Sequence, residues 1–153
     1  MFYYILAVIV IAIDQLTKWL VVENMELRES IPIIEGVFHL TSHRNSGAAF
    51  GILQGQMWLF FIATFIVTAV IIYYVQTQVK GNRWFGTSLG LVLGGAIGNF
   101  IDRLFHGEVV DFLDVYIFTY NYPIFNVADM ALVTGVIMLI IYVILEEKQQ
   151  RKS

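Results

Sequence analysis

A chain of 153 residues that is 58% apolar and only 14% charged departs from soluble domains, which are about half apolar and about a quarter charged, and its mean hydropathy of +0.73 points to the bilayer. The length suits one integral membrane domain, residues 1–153. A net charge of −3 with no Lys/Arg block speaks against a nucleic-acid partner, and the absence of cysteine excludes disulfides, thiolate metal sites and cysteine nucleophiles.

Phe2 to Val22 is apolar apart from Asp14, Gln15, Thr17 and Lys18, and about 20 helical residues cross a hydrocarbon core of about 30 Å. It begins without a basic region and runs into Asp14-Gln15-Leu16-Thr17-Lys18-Trp19 with no small-residue cleavage site, so it reads as a retained span (2–22) and not a leader. Next, Ser30 to Leu40 is broken by Pro32 and Gly36 and is rich in β-branched and aromatic residues, which predicts strands of a small sheet. Met57 to Val75 carries no charge and is the second span (57–75). Trp84 to Ile101 is the third (84–101); Gly86, Gly90, Gly94 and Gly98 put a small-residue groove on one of its faces, where another helix can approach closely. Val109 to Ile117 fits either a strand of the same sheet or a shallow interfacial segment. Phe125 to Leu145 is the fourth span (125–145), with Ala131 and Gly135 at small-residue spacing.

The fold class expected is therefore a helical membrane protein, a four-span bundle with a small outward-facing β-sheet. Lys80 and Arg83 between spans two and three, and Lys148, Arg151 and Lys152 in the tail, place those regions and both termini in the cytoplasm by the positive-inside rule. The β-containing segments, about 23–56 and 102–124, then face outward, with Trp19, Trp58, Tyr120 and Tyr122 as interfacial anchors.

Ionisable groups at membrane depth are costly and are functional candidates unless paired. Asp14 and Lys18 lie one turn apart, which allows either an ion pair with Lys18 snorkelling outward or a Lys18 that touches substrate. Asn99 and Asp102 share a helix face, and Arg103 follows near the helix end, where the dipole favours a cation. Asn126 suits an N-cap and Asp129 the acid three residues on; a purely structural role explains both. Asp111 is a single carboxyl between Val110 and Phe112. Yet Asp102, Asp111 and Asp129 all fall near one membrane boundary, and two carboxyls brought together share a proton. Such a pair activates water with one member and serves the departing amine with the other, hydrolysing a peptide without metal or covalent nucleophile. His39 and His43 are four apart, but Leu40 stands where a zinc helix needs Glu and the segment reads as strand. No cofactor fingerprint is present.

Five ordered motifs then resemble one family, the bacterial lipoprotein signal peptidases or signal peptidase II: Asp14-Gln15-Leu16-Thr17-Lys18, Arg44-Asn45-Ser46-Gly47-Ala48-Ala49-Phe50-Gly51, Gly94-Gly95-Ala96-Ile97-Gly98-Asn99-Phe100-Ile101-Asp102-Arg103, Val109-Val110-Asp111-Phe112 and Phe125-Asn126-Val127-Ala128-Asp129. The resemblance implies an aspartyl endopeptidase of the bacterial cytoplasmic membrane, active at its outer face, that cuts prolipoproteins before a cysteine carrying diacylglyceryl. It implies Asp111 and Asp129 as the catalytic pair. Around them it places a polar shell of Asn45, Asn99, Asp102, Arg103 and Asn126, with Asp14 and Lys18 in support. It implies no cofactor and no metal, contact with membrane lipids, and binding of the cyclic peptide globomycin. The competing reading is a small transporter or proton-conducting bundle that uses its intramembrane carboxylates as relays.

Overall fold

The structure is a computed structural model and describes residues 1–47, 53, 55–79, 81–118 and 120–151. Ala48 to Gly51 of the second motif, and Lys80 and Lys152 of the orientation signal, lie outside the described residues. Among those described, four helices are long and apolar enough to cross a membrane. They are α1 (Phe2–Asn24), α2 (Met57–Thr77), α3 (Arg83–His106) and α4 (Val127–Gln150). Four strands, β1 (Ser30–Ile34), β2 (Phe38–Asn45), β3 (Val109–Ile117) and β4 (Tyr120–Asn121), form one antiparallel sheet in that order. Residues 109–117 are thus a strand of the sheet that begins at Ser30, which decides between the two readings of that segment.

Each helix outlasts its apolar run, because backbone hydrogen bonding does not stop where hydropathy does. The difference reaches five residues in α4, which runs to Gln150, and as many in α3. α3 continues beyond Ile101 and closes at Gly107, whose φ of 75° is a left-handed cap that glycine adopts without strain. Asp102 and Arg103 are therefore helical residues on the last turns of α3, not members of the segment after it. At α4 the helix begins at Val127, because Phe125 is still engaged with the sheet: its carbonyl accepts from the Phe112 and Leu113 N–H groups and its N–H donates to Leu113.

α3 is the central helix, with most of its apolar window buried against the other three, whereas α2 is almost wholly exposed at its surface. The glycine groove does what its spacing predicts. A Cβ on Gly94 would sit 2.7 Å from Val10 Cβ, and one on Gly98 would sit 2.7 Å from the Asp14 carboxylate, so α1 packs directly on the α3 backbone. Gly95, on the adjacent face, does the same for α4: a Cβ there would collide with the Ala128 carbonyl. These contacts draw the polar residues of α1, α3 and α4 together at one end of the bundle. The sheet closes that end. β3 follows α3 directly, and its Val110 and Phe112 pack with Val21 of α1.

Candidate active site

The polar end of the bundle is organised around Lys18. It does not snorkel, as one reading of its spacing held. It is 3% exposed and points inward, with Nζ 2.8 Å from Asp14 Oδ2, 3.0 Å from Asp102 Oδ2 and donating at 3.0 Å to Asn99 Oδ1. Lys18 turns inward because two carboxylates from two helices await it; an exposed end would leave both buried and unpaired. Asp14, fully buried, also accepts from the Ala128 N–H at 2.8 Å. One carboxylate thus ties α1 to the start of α4. Asp102 accepts from the Val110 N–H at 3.1 Å and so fixes the backbone immediately before Asp111.

Asn99 is the next link. Its Oδ1 accepts from Lys18 and from Asn126 Nδ2, and its own Nδ2 donates to Asp129 Oδ1 at 2.7 Å. A buried amide uses all of these because an unsatisfied polar group at this depth is costly. Asn126 caps α4 as its spacing predicts: its Oδ1 accepts from the Asp129 N–H at 2.9 Å, while Asp129 Oδ2 accepts from the Asn126 N–H at 3.2 Å. This is a reciprocal capping box. The same Asn126 reaches across to β3 and donates to Asp111 Oδ1 at 2.7 Å. Asn45 at the end of β2 donates to Asp111 Oδ2 at 3.0 Å.

Asp111 and Asp129 are therefore held by a common residue, and both line one cleft of ≈ 1030 Å³. Asp111 is 1% exposed. Burial, and then the neighbouring Asp129 carboxylate, push its carboxyl up to about 7, against the lowering pull of the Asn45 and Asn126 hydrogen bonds and of Lys18. Arg103 borders the same cleft, with Nη2 donating to the Gly47 carbonyl at 3.0 Å, Nη1 to the Asn99 carbonyl at 3.3 Å, and its guanidinium 4.2 Å from the Phe60 ring centre.

Of the acids near this boundary, Asp102 is taken up by Lys18, Gln15 and the Val110 N–H. It stands behind the cleft, not on it. Reading the spacing passed over three residues. Gln15 donates to Asp102 at 2.8 Å and also lies within 3.2 Å of Asp14 Oδ2 and the Gly98 carbonyl; its place between Asp14 and Lys18 on an apolar helix was the available signal. Phe60 gave none. Asp114 is buried on β3, accepting from Thr41 at 2.7 Å, and only the sheet register, which sets it opposite His39, reveals it. His39 itself lies on β2 with its ring 5.0 Å from that of Tyr116.

A four-helix membrane bundle that holds two carboxyl groups on one cleft at its polar end defines a polytopic membrane protein with an acidic site. Residues 6–145 match the signal peptidase (SPase) II family, and the chain belongs to that family. It is similar to the lipoprotein signal peptidase of Halalkalibacterium halodurans, 60% identical over 153 residues, which cover 100% of this chain and 98% of that one. Two solved structures of bacterial membrane enzymes, obtained by the in meso method at 2.3 and 1.9 Å, share its fold. The first is 40% identical, with a TM-score of 0.93 over 99% of this chain and 92% of the other. The second is 43% identical, with a TM-score of 0.85 over 92% and 91%. The family resemblance and the four-span fold with its small sheet are thus borne out. The protein is a multi-pass membrane protease, and the transporter reading is not favoured.

Proposed function

We propose that this protease is an aspartic-type endopeptidase in which Asp111 and Asp129 act as the acid and base on a prolipoprotein, cleaving it before a cysteine that carries diacylglyceryl. The observation that carries this reading is the shared cleft: both carboxyls line it, and Asn126 binds one through its side chain while capping the other. Asp111, raised to about 7, holds the proton of the pair, and Asp129 is assigned the role of base. Asp129 takes a proton from water as the water oxygen adds to the carbonyl carbon, and Asp111 gives its proton to the carbonyl oxygen. In the second step Asp129 returns its proton to the cysteine nitrogen, Asp111 recovers the diol proton, and the C–N bond breaks. Asn45, Asn99 and Asn126 keep the pair oriented, Arg103 holds the chain at Gly47 beside the cleft, and Asp14, Lys18 and Asp102 brace the helices that carry it.

The substrate's form fits the rest of the cleft. From the carboxyls it extends between Phe60, Thr64 and Val67 of α2 and Leu132, Val133 and Val136 of α4, an apolar passage suited to a signal-peptide helix or to acyl chains of substrate and lipid. Globomycin-like cyclic peptides would occupy the carboxyl end as peptide mimics. In this reading the whole chain, residues 1–153, is one membrane domain, with both termini cytoplasmic and the sheet and cleft at the outer face of the bacterial membrane. The test is cleavage of a purified diacylglyceryl prolipoprotein. The wild type yields a shortened product in the presence of chelators and serine reagents, and Asp111→Asn and Asp129→Asn each yield none while remaining inserted and folded. An active Asp111→Asn beside an inactive Asp102→Asn would move the catalytic role to Asp102.

A further inference from the structure

A second cleft, of ≈ 330 Å³, lies at the opposite end of the bundle, between the start of α3 and the end of α4. Its walls are aromatic and fixed. The Trp84 Nε1–H donates to the Met138 carbonyl at 2.8 Å, and Tyr142, which also lines the cleft, is stacked on Phe85 with ring centres 4.6 Å apart. Glu146, one turn beyond Tyr142, completes the wall with a carboxylate. Two aromatic groups and a carboxylate around a small cleft are the surroundings that an ammonium group requires.

The adjoining wall has the opposite character. Asn82 borders the cleft and caps α3 by accepting from the Phe85 N–H at 3.0 Å. The other first-turn N–H groups of a helix have no acceptor within it and attract negative charge. Arg83, exposed at that first turn, adds a cation. Ile141 and Leu145 extend the cleft onto the lipid-facing surface of α4.

From this pairing we propose that the cleft binds the headgroup of phosphatidylethanolamine, with its ammonium between Trp84, Tyr142 and Glu146 and its phosphate toward Asn82 and Arg83. A primary ammonium has three N–H donors for Glu146 and neighbouring acceptors, whereas a choline headgroup has none and a glycerol headgroup has no positive charge. The site is remote from the carboxyl pair and stands independently of the catalytic assignment.

Native mass spectrometry of the full-length protein in detergent, titrated with phosphatidylethanolamine, phosphatidylcholine or phosphatidylglycerol of identical acyl chains, provides the test. The expected result is binding of phosphatidylethanolamine about tenfold tighter than of the other two, the size of one charge-assisted hydrogen bond. Glu146→Gln, at an exposed helix position, removes that preference, while Phe65→Leu on the lipid-facing side of α2 leaves it intact. Equal binding of the three lipids by the wild type, or an undiminished preference in Glu146→Gln, would overturn the proposal.

Discussion

Asp111 should cost the protein stability at the pH where it works. An aspartate is ordinarily ionised above 3.8, but in the folded protein its carboxyl is held up to about 7, so between these values the native state binds a proton that the unfolded state has lost. Stability contributed by that proton is fully present below 3.8, declines as pH rises, and is gone once pH passes the folded value. With Asp111 1% exposed, that displacement corresponds to about 4 kcal/mol in all, of which about 2–3 kcal/mol is lost between about pH 5 and pH 8. Replacing Asp111 by Asn keeps the shape and removes the titration. It forfeits one of the two amide donors now facing the carboxylate, from Asn45 and Asn126, which costs about 1–3 kcal/mol and does not vary with pH. The quantity to measure is therefore the difference in unfolding free energy between wild type and Asp111→Asn, taken by denaturant titration in a fixed detergent across that range. It should shift in the variant's favour by about 2–3 kcal/mol as pH rises. A difference that is flat with pH, or that shifts toward the wild type, refutes the assignment of a raised, buried proton to Asp111.

In the proposed mechanism the same proton governs rate, so cleavage per folded enzyme should fall as pH rises through about 7, approaching tenfold per unit; a rate that climbs through this window would mean that Asp111 is not the acid. In Gly98→Ala the new methyl, 2.7 Å from Asp14 Oδ2 and 3.2 Å from Ala128 Cβ, crowds the carboxylate oxygen that pairs with Lys18. We expect about 1–3 kcal/mol of destabilisation and a loss of cleavage, with unchanged melting as the contrary result. Lys18→Met leaves Asp14 and Asp102 unpaired in the interior and should cost about 3–5 kcal/mol, part of which Asp102→Asn restores in the double variant. Additive losses in that cycle would show that the pair does not interact.

What could be read from the chain and what could not divide along the range of the interaction. The spans are read from hydropathy because membrane thickness sets a length on sequence alone. The glycines at 86, 90, 94 and 98 forecast a helix seat because their period is that of the helix, and Asn126 with Asp129 forecast a cap because a capping box closes within four residues. Lys18 was ambiguous for the converse reason. Its i−4 neighbour Asp14 is compatible with either direction, and what turns it inward is Asp102, brought in by the α1–α3 packing. Asp111 was equally obscure as a lone carboxyl in an apolar run. Val109, Val110, Asp111 and Phe112 are all buried, so β3 lacks the alternation that marks one solvated face. Helix boundaries were short because the final turns of α3 and α4 are polar: Asp102, Arg103 and His106 in one, Glu146 to Gln150 in the other.

The charges around the two ends of this network explain why so many of its members are amides. Asp14, Asp102, Asp111 and Asp129 face two cations, Lys18 and Arg103, which leaves an excess of two negative charges if all are ionised. Lys18 already touches Asp14 and Asp102, which leaves one excess charge behind the cleft and, with Arg103 beside them, one on the pair that lines it; a proton retained by Asp111 removes the latter. A lysine or arginine bonded directly to the pair would neutralise that charge instead but would hold both carboxyls ionised. Asn45, Asn99 and Asn126 donate hydrogen bonds to Asp111 and Asp129 without adding charge. They fix the geometry of the pair and leave its proton in place.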